Sequence, residues 1–205
     1  MSLAASPLPK PRPRTLPALL VRRRIALSLL LFAGLIASAV LRGVRPHPPL
    51  DYRDPLAVAG ILLVALGVAM RSWAAGTLTK STHLTTTGPY RLVRNPLYLG
   101  SLLMLVGFCL LVGDLWILAI GMIPLLWIYA LKVRAEERFL SGKFGDDWLA
   151  FAARTPRLVP RRLPRTDGSW SLAQWLDNRE YQAALTALAG LTVIQLWSLR
   201  AAAGA

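Results

Sequence analysis

The stretch NPLYLGSLLMLVGFCLLVG, residues 95–113, contains no charged side chain in 19 consecutive positions. A helix rises about 1.5 Å per residue, so a helix of this length spans roughly 30 Å, the thickness of the hydrocarbon core of a bilayer. Pro96 suits the first helical position, where a backbone N–H would have no partner within the helix. The stretch therefore predicts a transmembrane helix that begins at Pro96.

Four more uncharged runs of similar length occur in the chain. They cover residues 25–41, 55–70, 115–131 and 181–199. The composition agrees with this pattern, because 55% of the residues are hydrophobic and only 17% are charged. We predict an all-α fold, an integral membrane bundle of about five transmembrane helices.

The remaining segments divide the chain into three parts. Residues 1–24 combine prolines with basic residues and predict a disordered, extended tail. Residues 25–164 form the predicted membrane core, with four helices and two polar motifs, and residues 165–205 hold a polar connector and the fifth helix. Alternatively, the first helix is a cleaved signal peptide, because small residues at 37–39 resemble a cleavage site.

The basic residues indicate how the helices are oriented. The chain has 24 Lys and Arg against 10 Asp and Glu, and 20 of the basic residues lie in the tail, in loop 71–94 and in loop 132–180. Lys and Arg near membrane helices are retained on the cytoplasmic side. We therefore predict that the N-terminus and both loops are cytoplasmic and that the C-terminus lies on the opposite side. The positive charge thus indicates topology rather than a nucleic-acid partner.

Several classes of protein are disfavoured by what the sequence lacks. No ionisable residue falls inside the five runs, whereas ion-coupled transporters usually carry such groups at membrane depth. No Gly-x-Gly is present, which argues against a Rossmann domain or a Walker loop. A single cysteine and two distant histidines predict neither a disulfide nor a metal site.

The first polar motif, HLTTTGPYRLVRNPLYLG at residues 83–100, leads into the third apolar run. Gly88-Pro89 predicts a turn, and Asn95 before Pro96 is restricted to extended backbone. Arg91 and Arg94 flank the N-terminus of the next helix, where a carboxylate or phosphate is favoured. The motif therefore predicts an anion-binding shelf or, alternatively, an interfacial anchor for lipid headgroups.

The second polar motif follows the fourth run. KVRAEERFL at residues 132–140 presents the adjacent carboxylates Glu136 and Glu137, and residues 143–160 add further aromatic and basic side chains. The carboxylates could accept hydrogen bonds from ribose hydroxyls or an ammonium group. Four aromatic residues could cover an aromatic base: Phe139, Phe144, Trp148 and Phe151. The alternative is a helix end held by pairs such as Lys132 with Glu136.

Together, the two motifs resemble those of the isoprenylcysteine carboxyl methyltransferase and phospholipid methyltransferase superfamily over about residues 70–164. The resemblance rests on Gly88-Pro89-Tyr90-x3-Arg94-Asn95-Pro96-x-Tyr98-x-Gly100, a helical hairpin, then Glu136-Glu137-x2-Leu140-x3-Phe144-Gly145 and a Pro-Arg-rich exit. It implies an integral-membrane enzyme that uses S-adenosylmethionine bound in a cytosolic pocket. The family usually has His where Asn95 stands and favours Tyr where Trp148 and Phe151 stand.

The resemblance also implies roles for individual residues. The implied cofactor-binding residues are His83, Leu84, Gly88, Tyr90, Arg94, Pro96, Tyr98, Glu136 and Glu137. The implied catalytic residues are Arg94, Asn95, Tyr98 and Glu137, although an Asn cannot act as a general base. Arg94→Ala and Glu137→Gln are each expected to weaken cofactor binding about tenfold or more.

The expected acceptor is a lipid-like or prenylated molecule, methylated on a carboxylate, amine or thiol. Two other functions stay open on the sequence. One is a sterol-type NADPH reductase, because Lys143-Phe144-Gly145-x2-Trp148 resembles a motif of those enzymes, and the other is a non-catalytic membrane protein. The connector at residues 166–180 is predicted to be an amphipathic interfacial segment or a lid over the pocket.

Overall fold

The computed structural model describes residues 24–79, 83–114, 116–161 and 167–203. The predicted tail 1–24 lies outside these residues, apart from Arg24, where the first helix begins. The α-helices are α1 (Arg24–Leu41), α2 (Pro55–Thr77), α3 (Pro96–Val112), α4 (Met122–Arg154), α5 (Leu172–Asp177) and α6 (Tyr181–Ala203). A 3₁₀ helix at Gly88–Arg91 precedes α3, and a π-helical turn at Ile117–Gly121 precedes α4.

The all-α prediction is confirmed. Each of the five apolar runs lies on helix in its described part, and no strand occurs among the described residues. By length and composition, α2 and α6 could each cross a membrane, and α3 is apolar but only 17 residues long. The number of spans therefore stays a prediction.

The bounds of the apolar helices follow from residues at their ends. Asp54 caps α2, because its side chain accepts hydrogen bonds from two backbone N–H groups at 2.9 and 3.3 Å. Pro96 begins α3 as predicted. Gly113 ends α3 in the left-handed conformation, and its N–H donates to the carbonyl groups of Cys109 and Leu110.

Helices α2 and α3 run antiparallel in direct backbone contact. Gly60 on α2 faces Gly107 on α3, and Gly67 on α2 faces Gly100 on α3. The two glycines of each helix are seven residues apart. A Cβ atom built at Gly67 would lie 2.5 Å from the carbonyl oxygen of Gly100, which leaves room for hydrogen only. The four glycines therefore set how closely the two helices approach.

The buried core extends outward from this pair. Val64 on α2 and Leu111 on α3 are almost fully buried, and Ala39 of α1 and Ile194 of α6 join the same cluster.

Helix α4 is packed less closely than these helices, because its backbone does not lie close along α3 in the described residues. Its large apolar side chains Ile123 and Trp127 are mostly exposed.

Helix α4 continues far beyond its apolar run, to Arg154. Gly145 interrupts it with φ 51° and ψ −123°, a conformation that only glycine adopts readily. The kink redirects residues 146–154, which brings Trp148 within 6.0 Å of the Arg94 guanidinium. Because of the kink at Gly145, the end of α4 lies against the first motif.

Both polar motifs lie at one end of the bundle, here called the motif end. The connector docks there on the last turns of α2, because the Ser171 N–H donates to the Gly76 carbonyl at 2.9 Å and the Asn178 amide donates to the Ala75 carbonyl at 2.7 Å. Arg71 of α2 forms a bidentate ion pair with the buried Glu180 at 2.6 and 2.9 Å. These contacts fix the beginning of α6 beside the first motif.

The sidedness of the motif end can be tested by cysteine labelling. We expect Ser141→Cys, on α4 at the motif end, to react with an impermeant thiol reagent only after the cells are permeabilised. Tyr52→Cys, in the highly exposed loop at the other end, should react in intact cells. The native Cys109 is buried and serves as the unlabelled background. Labelling of Ser141→Cys in intact cells would reverse the predicted topology.

Candidate functional site

Two adjoining cavities open at the motif end. The larger encloses about 1470 Å³ and the smaller about 220 Å³. Five residues line both cavities: His83, Leu84, Arg94, Phe144 and Phe151. The two motifs, about 40 positions apart in the sequence, therefore share one site.

Most of the sequence-predicted site residues surround the smaller cavity. Eight of them line it: His83, Leu84, Tyr90, Arg94, Asn95, Pro96, Tyr98 and Glu136. The four aromatic residues singled out in the second motif also line it: Phe139, Phe144, Trp148 and Phe151. Two predicted residues, Gly88 and Glu137, line neither cavity.

Gly88 lies in the turn of the first motif and does not line either cavity. Its φ is 56°, and its N–H donates a hydrogen bond to the Asp167 carbonyl at 2.9 Å. A Cβ atom at this position would also lie 3.0 Å from the Thr77 side chain. Gly88 therefore joins the first motif to α2 and to the connector.

Glu137 is the centre of a buried ion-pair network behind the smaller cavity. Its carboxylate accepts hydrogen bonds from Arg157, at distances between 2.6 and 3.1 Å, and from the Asn95 amide at 3.2 Å. Burial alone would raise its pKa, but Arg157, Arg94 and Asn95 together hold the pKa below its usual value. Glu137 is therefore ionised at neutral pH, and its partners come from other segments rather than from its own helix.

Arg94 lies where the two cavities meet. Its backbone N–H donates to the Pro156 carbonyl at 2.8 Å, which fixes the main chain. Its side-chain Nε lies 3.7 Å from Glu137 Oε1, close enough for charge attraction but without a hydrogen bond. Buried polar groups are usually hydrogen-bonded, so this unsatisfied donor is the most unusual polar atom of the site.

Two tyrosines, Tyr90 and Tyr98, line the smaller cavity. The Tyr98 hydroxyl donates to Glu136 at 3.2 Å, and its ring contacts Tyr129 of α4 edge-on at 5.6 Å. Tyr90 is buried, and burial together with the charges of Glu136 and Glu180 raises the pKa of its phenol. Tyr90 therefore stays protonated at neutral pH.

Arginines dominate the charged lining of the larger cavity. They are Arg91, Arg94, Arg154, Arg157 and Arg161, with Asp147 among the other lining residues. Arg157 was not singled out from the sequence, although it makes the shortest contact with Glu137. It is one of several arginines between positions 154 and 165, so sequence alone did not distinguish it from its neighbours.

The described part of the connector, residues 167–180, lines neither cavity. Its contacts are with α2, with the first motif and, through Arg91 and Asp167 at 2.9 Å, with the edge of the 3₁₀ helix. In the described residues no group of three or more His, Cys, Asp or Glu side chains could hold a metal ion.

This architecture defines a class, an all-α membrane protein whose polar site lies at one end of its helices. A family model described as phospholipid methyltransferase matches residues 56–147. The chain is also 29% identical over 160 residues to protein-S-isoprenylcysteine O-methyltransferase B of Arabidopsis thaliana, an alignment that covers 71% of this chain and 78% of that protein. The chain belongs to the isoprenylcysteine carboxyl methyltransferase and phospholipid methyltransferase superfamily of membrane methyltransferases.

Two bacterial relatives carry other names. The chain is 31% identical over 163 residues to the cobalt-zinc-cadmium resistance protein CzcN of Cupriavidus metallidurans, covering 78% of this chain and 74% of that protein. It is 29% identical over 151 residues to the nickel-cobalt-cadmium resistance protein NccN of Alcaligenes xylosoxydans xylosoxydans, covering 73% and 70%. No solved structure matches the chain.

Proposed function

We propose that this protein transfers a methyl group from S-adenosylmethionine to a lipid-like or prenylated acceptor at the cytoplasmic face of the membrane. The observation that carries the proposal is the junction of the two cavities at Arg94. Residues that the family resemblance implies for cofactor binding line the smaller cavity there, together with four aromatic side chains. Both cavities are formed by residues from both motifs.

The residues at the junction fit the chemistry of this cofactor. S-Adenosylmethionine carries a carboxylate, an ammonium group, ribose hydroxyls and an aromatic base. The Arg94 guanidinium, whose buried Nε has no hydrogen bond, suits the carboxylate, and Glu136 can accept from the ammonium or the hydroxyls. Phe144 and Phe151, which line both cavities, offer apolar surface to the base.

The cofactor would supply an electrophilic methyl group on a positively charged sulfur, and the protein would bind and orient both reactants. In this proposal Arg94 binds an anionic group of the cofactor, while Tyr98, held by its hydrogen bond to Glu136, positions the acceptor's polar atom. Glu137 acts through Arg94, because it lines neither cavity, and Asn95, which lines the smaller cavity, donates to Glu137. Enclosure by Trp148 and Phe151 would keep water from the reacting atoms.

Transfer of label tests the proposal directly. The purified protein in lipid vesicles is incubated with S-adenosylmethionine labelled on its methyl group and with a total membrane extract. We expect label to appear in a lipid-soluble product. The same reaction with Arg94→Ala should give only the background level of label in that product. Consumption of NADPH by the same sample, without methyl transfer, would favour the reductase alternative, and no binding of either cofactor would contradict both enzyme proposals.

The proposed acceptor is a membrane-resident amphiphile. Helices α3 and α4 contact each other at the motif end through Tyr98 and Tyr129 but do not pack closely along their length in the described residues. The exposed Ile123, Leu126 and Trp127 line the apolar side of α4. An apolar tail could lie beside α3 and hold its head group at the depth of Tyr98.

Acceptors with one head group and tails of different length test this proposal. Each methylene transferred from water stabilises binding by about 0.8 kcal/mol, so we expect kcat/KM to rise several-fold per added methylene until the tail is fully buried. Each acceptor is added as a monomer in water, below micelle formation, to the same vesicle preparation, so that every tail is transferred from water. Equal rates for all tails, or faster turnover of the water-soluble head group, would contradict a lipid acceptor and leave the methyltransferase proposal intact.

A further inference from the structure

The Glu137 carboxylate has several donors competing for its two oxygens. Oε2 accepts from Arg157 Nη2 at 2.6 Å and from Arg157 Nε at 3.1 Å. Oε1 accepts from Arg157 Nε at 3.0 Å and from Asn95 Nδ2 at 3.2 Å. Arg94 is left at 3.7 Å, beyond hydrogen-bond distance.

We propose that Arg157 is a positioning residue that, with Asn95, occupies the Glu137 carboxylate and so keeps the Arg94 guanidinium available for the carboxylate of the cofactor. The inference rests on the proposed function and extends it to a residue that lies outside the smaller cavity. A carboxylate offers about four acceptor positions, and Arg157 and Asn95 use them. Arg94 is attracted towards Glu137 without being neutralised by a hydrogen bond to it.

Loss of Arg157 would change the partner of Arg94. A shift of about 0.8 Å would bring Arg94 Nε from 3.7 Å to the ordinary hydrogen-bond distance of about 2.9 Å. Glu137, once released by Arg157, would then take Arg94 as its main donor. A ligand carboxylate would have to compete with Glu137 for the same guanidinium, and its affinity would fall.

Contacts other than those of the Arg157 side chain also hold the local fold. Its guanidinium is about half exposed, at 49% of the side-chain surface. The exit segment is also held by main-chain groups that a substitution keeps, since the Pro156 carbonyl accepts from the Arg94 N–H and the Arg157 carbonyl accepts from the Asn95 amide at 3.4 Å. A variant at this position can therefore fold and be assayed.

Arg154 provides a matched control, because it borders the same larger cavity and no ion pair is described for it. The experiment measures equilibrium binding of S-adenosylmethionine to Arg157→Ala and to Arg154→Ala in lipid nanodiscs, with thermal unfolding of each. We expect Arg157→Ala to weaken binding about tenfold, or about 1.4 kcal/mol, and Arg154→Ala to weaken it less than twofold. Both unfolding midpoints should stay close to that of the unsubstituted protein.

Decarboxylated S-adenosylmethionine separates positioning from general damage to the site. It lacks the group that Arg94 would bind, so Arg157→Ala should affect its affinity less than twofold. Similar losses for both ligands would overturn the proposal, and so would similar losses in Arg157→Ala and Arg154→Ala, which would indicate a general effect of positive charge. If the unsubstituted protein binds neither ligand, the proposed function itself fails, and this inference fails with it.

Discussion

Gly67→Leu is expected to prevent α2 and α3 from packing and to leave little folded protein. Even a Cβ atom at this position would lie 2.5 Å from the Gly100 carbonyl oxygen and 2.8 Å from the Met104 backbone nitrogen. Backbone atoms inside a helix cannot move aside as a flexible side chain can, so the helices must separate. Overpacking a tight core typically costs about 1–3 kcal/mol, and separation of the central helix pair adds lost contacts along both helices.

Gly34→Leu is the matched control for this prediction. Gly34 lies inside the apolar α1, and no neighbouring atom would meet a Cβ there within 4 Å. Leucine is the better helix former by about 0.8 kcal/mol, so intrinsic propensity alone would favour both substitutions. Folded yield on size exclusion and the thermal midpoint in detergent should fall strongly for Gly67→Leu and stay unchanged or rise for Gly34→Leu. Equal behaviour of the two variants would show that the close contact is unimportant.

Arg94→Ala is expected to produce the largest loss of cofactor affinity among single substitutions at the site. Arg94 borders both cavities, and its buried Nε has no hydrogen bond among the described residues. A charge-assisted hydrogen bond to a carboxylate contributes roughly 1.5–3 kcal/mol, which corresponds to a loss of about tenfold to a hundredfold in affinity. Glu137→Gln should also weaken binding about tenfold, because the Glu137 charge attracts the Arg94 side chain and orients it at the junction of the cavities.

Isothermal titration with S-adenosylmethionine in nanodiscs measures these losses. Arg138→Ala is the control, since Arg138 also lies on α4 but lines neither cavity, and its side chain donates to the Arg134 carbonyl. Thermal unfolding of each variant separates lost affinity from a lost fold. If Arg94→Ala bound the cofactor normally while folded, Arg94 would be a structural residue and the anionic group would have to bind elsewhere.

The helices of this fold were predictable from sequence because length and the absence of charge are properties of a continuous segment. All five apolar runs lie on helices in their described parts, and Pro96 begins α3 as expected. The contact between Gly67 and Gly100 was not predictable in this way. This contact depends on which faces of the two helices meet. The sequence contains many other small residues that could form such a contact.

Residues of both motifs line the smaller cavity, and their role in binding stays a prediction. The contacts among these residues were harder to predict from the sequence. One alternative from the sequence was a helix end held by pairs within α4, such as Lys132 with Glu136, because residues three or four positions apart are neighbours. The partner of Glu137 is instead Arg157, 20 positions away, because the kink at Gly145 turns the chain back. Backbone conformation at one glycine thus decides which of several arginines reaches the carboxylate.

The unequal packing of the helices has a consequence for how the bilayer acts on this molecule. The glycine contacts hold α2 and α3 in direct backbone contact, whereas the apolar part of α4 does not pack closely along α3 in the described residues. A helix responds to a thinner or thicker bilayer by changing its tilt. On the predicted topology, tilting of α4 would move Glu136 and Glu137, which precede the kink at Gly145, relative to Arg94 beside α3. We therefore expect the thickness of the bilayer to change the distance between the two motifs.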